Sequence, residues 1–109
     1  MTRGDIVTIA DRTGDFTGKP RPAVIVQADA FATLHSVTIC PFTSEAVDDS
    51  VLRVVVQPFT ETALNRLSWI AVDKITTIRR DRVGARIGVL TTSDMHRLNG
   101  AIAVFLGVG

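Results

Sequence analysis

Between Pro22 and Gln27 the chain reads Ala23-Val24-Ile25-Val26, apolar at every position. A strand with one wet face alternates in polarity, so an unbroken run of this kind reads as a strand buried on both faces. It is entered through Lys19-Pro20-Arg21-Pro22, which sets a permanent charge at the mouth of that strand. The prolines fix φ at their own positions, and Pro22 biases Arg21 towards an extended conformation. A guanidinium on so stiff a backbone suits phosphate, because its planar fork donates in two prongs and its charge does not titrate away near neutral pH. A turn leading into the strand, with the arginine merely solvated, is the competing reading of the same four residues.

Five further stretches read as strands. Residues 6–10 are a β-branched run, and 11–19, with Gly14 and Gly18, form a loop in which Phe16 is free to close over a ligand, stack on a base or tuck onto the core. Residues 36–42 give a third strand that is expected to end, bulge or lie at an edge at Pro41, since proline donates nothing to a ladder. Thr43, Ser44 and Glu45 then emerge at a strand end. Residues 51–57 and 69–72 follow, the latter able to run on to Ile78, and between them Thr62 to Asn65 suits a single helical turn. Residues 87–90 make a sixth, short strand. One helix closes the chain, with Thr92 as N-cap, Asp94 in the first turn, Met95, Leu98, Ile102 and Phe105 as its apolar stripe, and Gly107 at its end. Together these describe one domain over residues 1–109, mainly β with α: a strongly curved structure of about six strands with a C-terminal helix packed on one side.

With 46% hydrophobic and 21% charged residues, 109 residues bury a core without disulfides or metals. No apolar run approaches the roughly 20 residues that span a bilayer, and Met1-Thr2-Arg3-Gly4-Asp5 has charge where a signal peptide has an apolar region, so a cytoplasmic protein away from membranes is expected. Cys40, the single cysteine, lies in a strand-like run and reads as a packed side chain rather than a nucleophile. His35 and His96 lack partners at ligand spacing, so neither a zinc site nor any other cofactor is expected. Ten of the twelve basic residues are arginine, and Arg79, Arg80, Arg82 and Arg86 fall within eight positions. Such a cluster suits a polyanion or an acidic protein, with a solvated loop as the plain alternative.

The chain lacks the ligands for metal-dependent hydrolysis, a convincing Ser-His-Asp or Cys-His set, and glycines at phosphate-cradling spacing. Arginines, a few carboxylates and hydroxyls at strand ends remain. That inventory can cleave RNA without a metal, because the 2′-hydroxyl of RNA is its own nucleophile. The work is to orient that oxygen, neutralise the phosphorane and manage two protons. Arg21 can neutralise charge, Thr43 can bond a non-bridging oxygen or the attacking hydroxyl, and Asp73 can act as base if its site raises its pKa.

Arg3-Gly4-Asp5-Ile6-Val7, Arg21-Pro22-Ala23-Val24-Ile25-Val26, Pro41-Phe42-Thr43-Ser44, Ser68-Trp69-Ile70-Ala71-Val72-Asp73-Lys74-Ile75, and Gly88-Val89-Leu90 leading to a helix that ends Leu106-Gly107 occur in this order. In these pieces the whole chain resembles the MazF/PemK toxins of toxin-antitoxin pairs. The resemblance implies an SH3-like barrel of the CcdB/PemK type, a homodimer, and a metal-independent endoribonuclease that cuts single-stranded RNA at a short sequence, leaving a 2′,3′-cyclic phosphate and a 5′-hydroxyl. It also implies an antitoxin whose flexible segment folds into the RNA groove. The family's catalytic arginine falls on Arg21 and its hydroxyl on Thr43. Some members add an aspartate, matched by Asp73, and an arginine two positions earlier, where this chain has Ala71. Those members carry His-Glu in the first loop, where this chain has Asp15-Phe16. Arginine is a poor base, with a pKa above about 12, so Arg21 is assigned to transition-state charge and the base stays unassigned. Lys19, Phe16, Ser44, Ser68, Arg79 and Arg80 are the candidate RNA contacts, and Trp69 reads as packing. A gyrase poison resembling CcdB is the competing toxin, but the chain ends Phe105-Leu106-Gly107-Val108-Gly109, without the Trp-Gly-Ile-like end that activity needs. A non-catalytic RNA- or protein-binding module is the third reading.

Overall fold

The structure is a computed structural model that describes residues 1–10, 21–45 and 51–109. Among them run seven antiparallel strands, β1 (Asp5–Ile9), β2 (Arg21–Ile25), β3 (Ser36–Thr43), β4 (Arg53–Val56), β5 (Ser68–Ala71), β6 (Thr76–Arg79) and β7 (Val83–Val89), followed by one helix, α1 (Thr92–Leu106). The sheet is ordered β4-β5-β3-β2-β1-β7, with β6 on β3 as well. Its path ends at β4 and β7, and no ladder between those two closes it among the described residues. The sheet thus has seven strands where the sequence reads as about six.

The extra strand comes from the chain stretch after Ser68. A single turn of 3-10 helix, Val72–Lys74, splits what reads in sequence as one strand into β5 and β6, both antiparallel to β3. β7 also begins earlier than its apolar residues suggest. Val83 to Arg86 look like a charged loop, yet Val7 pairs with Arg86 and Ile9 with Val83 across two irregularities in the ladder. Arg82 holds that edge by donating to the Ala10 carbonyl at 2.8 Å.

β3 does not stop at Pro41. Ile39, Cys40 and Pro41 pair with β2, and from Phe42 the strand takes β5 as its partner, so the missing N–H falls where the ladder changes hands.

The strand predicted to be buried on both faces is so. Val24 and Val26 join Ile6, Cys40, Ile70 and Val72 in a core beneath α1, whereas Ala23 and Ile25 join Val7, Val37, Ile39 and Ile78 on the other face. One helix covers one face only. The second is enclosed because β6 and the start of β7 curl round, with Ile78, Val83 and Ile9 packing into that cluster.

The cap of α1 is Thr91 rather than Thr92: its hydroxyl oxygen accepts the Asp94 N–H at 3.1 Å, a contact worth about 1 kcal/mol. Leu98 is fully buried and Met95, Ala101 and Ile102 pack beside it, but Phe105 is 41% exposed, because the sheet ends before the last helical turn. Gly107, at φ 71°, takes the left-handed conformation that stops the helix, its N–H shared by the Ala103 and Val104 carbonyls. Among the described residues no helix is long and apolar enough to cross a membrane.

Candidate active site

β2 begins where β3 ends. The β2–β3 ladder runs from Ile25–Ile39 to Ala23–Pro41, so the start of β2 with Arg21 and the end of β3 with Thr43 lie at the same end of the sheet. Both line an open cleft of about 820 Å³ at this end of the sheet. Its floor includes Thr8, which pairs with Pro22, together with Pro22 and Ile87. Phe42, Ser44, Glu45 and Ser68 continue the wall, and Asn65 and Arg66 come in from the connection between β4 and β5.

Arg21 is exposed and enters none of the four ion pairs among the described residues, so its charge is available to a ligand. Thr43 is half-buried, and its hydroxyl oxygen accepts the Glu45 N–H at 3.1 Å. With one lone pair engaged, the threonine keeps its own proton to donate into the cleft. Ser68 donates to the Arg66 carbonyl at 3.1 Å, which ties the start of β5 to the connection carrying Arg66. The combination is a fixed cation, a hydroxyl donor and a carboxylate around one solvent-filled space. Such a set can bind a phosphodiester and stabilise charge that builds on it.

The cleft therefore gathers Arg21, Thr43, Ser44 and Ser68 from the sequence-derived candidates. Lys19 and Phe16 lie outside the described residues. Asp73 does not line the cleft. β5 starts at the cleft with Ser68 and runs away from it, so the 3-10 turn carries Asp73 to Arg53 of β4, which it meets in an ion pair. Arg53 is next to Asp73 because the β4–β5 register sets Arg53 opposite Ala71. Ala71 itself is 3% exposed.

Arg79 and Arg80 stand at the far end of β3, since Ser36 pairs with Arg79, seven residues or about 23 Å of strand from Thr43. Most of the arginine cluster is spent on the chain. Arg80 donates to the Leu34 carbonyl at 2.8 Å, Arg82 to Ala10, and Arg86 pairs at 3.0 Å with the buried Asp5, while exposed Arg79 meets Asp81. The cleft residues that sequence reasoning gave no role are Thr8, Glu45, Asn65, Arg66 and Ile87. Only Glu45 carried a signal, as the third residue emerging after Pro41.

Residues 2–106 match the family model described as the PemK-like, MazF-like toxin of type II toxin-antitoxin systems. A relative from Mycolicibacterium smegmatis, named Probable endoribonuclease MazF, is 44% identical over 108 residues, covering 99% of this chain and 98% of its own. Among solved structures, an endoribonuclease in complex with its cognate antitoxin from mycobacterial species superposes with a TM-score of 0.80 at 23% identity, covering 100% of this chain and 97% of that one. The Mycobacterium tuberculosis toxin MazF-mt6 gives 0.77 at 27% identity, over 95% and 98% of the two chains.

Proposed function

As a member of the PemK-like, MazF-like toxin family, the protein is an endoribonuclease toxin of a type II toxin-antitoxin system, and we propose that it cuts single-stranded RNA in the cleft between β2 and β3 without a metal. One observation carries the assignment: Arg21 and Thr43 come from two neighbouring strands and line one cleft. In this reading the 2′-oxygen attacks the adjacent phosphorus, the P–O5′ bond breaks, and the products are a 2′,3′-cyclic phosphate and a 5′-hydroxyl. Arg21 neutralises the phosphorane, whose charge exceeds that of the ground state, so its binding is strongest where the barrier lies. Thr43 donates its free proton to a non-bridging oxygen. Ser44, Ser68 and Arg66 hold the flanking backbone, with Lys19 and Phe16 as further RNA contacts. Asp73 acts on the fold by holding Arg53, not on the substrate.

The SH3-like arrangement, the homodimer and a cytoplasmic setting belong to the same proposal. So does an antitoxin segment laid over the cleft, where its carboxylates meet Arg21 and Arg66.

Purified protein in EDTA should cut a long unstructured RNA at a recurrent short motif, and Arg21→Ala should keep RNA binding while losing at least about a hundredfold in cutting. Intact RNA together with trapped gyrase–DNA complexes would overturn this in favour of a gyrase poison. RNA bound but uncut by the unmodified chain would leave only a binding module.

A further inference from the structure

Resting on the RNA-cutting reading above, we propose that Glu45 is the general base that takes the proton of the attacking 2′-hydroxyl. Among the described residues it is the one carboxylate lining the cleft. Its backbone N–H is bonded to Thr43 Oγ1 at 3.1 Å, so the residue is tied directly to the hydroxyl that faces the phosphate. Its side chain is exposed and takes part in none of the four ion pairs among the described residues. The other charged groups lining the cleft are Arg21 from β2 and Arg66 from the β4–β5 connection. An arginine guanidinium donates hydrogen bonds and has no lone pair to take a proton, so neither competes for the role of base. The serine and threonine hydroxyls and the Asn65 amide are no better as bases, and Asp73 is held by Arg53 away from the cleft.

The step balances without a co-reactant. The 2′ O–H bond breaks with its proton passing to the Glu45 carboxylate, the 2′-oxygen forms its bond to phosphorus, and the electron pair of the P–O5′ bond leaves on the 5′-oxygen. That oxygen is protonated from solvent water, and Glu45 returns its proton to the resulting hydroxide. RNA is thereby divided into a cyclic phosphate and a 5′-hydroxyl with nothing else consumed.

The test compares the unmodified protein with Glu45→Gln and Glu45→Asp, following kcat and KM on the same long RNA from pH 4.5 to 8, with thermal melting as the check on folding. Glu45→Gln should lower kcat about a hundredfold or more, leave KM within about twofold and erase the acid limb of the profile, whereas Glu45→Asp should retain that limb. Glu45→Gln cutting within about threefold of the unmodified rate, or keeping the acid limb at reduced rate, would overturn the assignment. So would a change confined to KM or to the sequence cut, which would make Glu45 a base-reading contact. Intact RNA with the unmodified protein would instead remove the RNA-cutting reading itself, which keeps the two failures apart.

Discussion

Cys40 has no exposed surface, and that burial pushes its thiol from the ordinary 9.0 up to about 12, with the positive charge of Arg3 pulling weakly the other way. The consequence for stability has a definite sign. Below pH 9 both the folded and the unfolded chain hold the proton; above it the unfolded chain alone gives it up, so stability falls as pH rises. At about 1.4 kcal/mol per pH unit the loss reaches about 2 kcal/mol between pH 9 and 10.5. The sequence has no tyrosine and only Lys19 and Lys74 as lysines, so few other groups titrate in that window. Urea midpoints should therefore drop across it, while Cys40→Ala, weaker at neutral pH, should give a flatter profile. Parallel profiles for the two proteins would contradict the account. Single residues are also where sequence reading fared unevenly. The packed role of Cys40 was legible because its neighbours Val37 and Ile39 are apolar, whereas the partner of Asp73 depended on a strand register that no local pattern encodes.

The connection between β4 and β5 holds the cleft's Asn65 and Arg66, and its shape is set by one close approach. A Cβ at Gly88 of β7 would stand 2.3 Å from the Thr62 carbonyl oxygen, and the next residue, Val89, donates to Glu61 at 2.8 Å. Thr62 is fully buried, with its hydroxyl 2.9 Å from both the Gln57 and Phe59 carbonyls, and Ala63 leaves the turn at φ 54°. The helical turn expected from Thr62 to Asn65 is thus displaced: it is closed by the Ala63 N–H on the Phe59 carbonyl. Gly88→Ala should cost about 2 kcal/mol or more, because the obstacle is backbone that cannot rotate away. It should also reduce RNA cutting beyond what lost stability explains, by moving Arg66. Denaturation midpoints and cutting rates on the same sample would check both, and an unchanged midpoint would sink the argument. Elements with strong local signals were readable: β2 from its unbroken apolar run, α1 from its stripe. The start of β7 was not, since Val83 to Arg86 owes its strand form to backbone pairing with β1, and the split between β5 and β6 was not, since the chain bends there to follow β3.

At the scale of the whole molecule, one run of exposed apolar residues closes the chain. Val104, Leu106 and Val108, at and just past the C-terminal end of α1, are 65%, 52% and 61% exposed. For the proposed homodimer, this apolar end is the surface a second copy would cover. Light scattering should give twice the 11.8 kDa of the chain, and Leu106→Glu should halve that mass; a dimer unaffected by the charge would place the contact elsewhere. The order of the strands has a different consequence. β2, β5 and β6 all pair with β3, and Thr43 is its last residue. Because β3 feeds both hydrophobic clusters, whatever loosens that strand disturbs both of them and the cleft together. Among the described residues the pairing gives the cleft no separate element on which to swing shut, so a restraint on cutting is expected from another molecule, and to last as long as that molecule does.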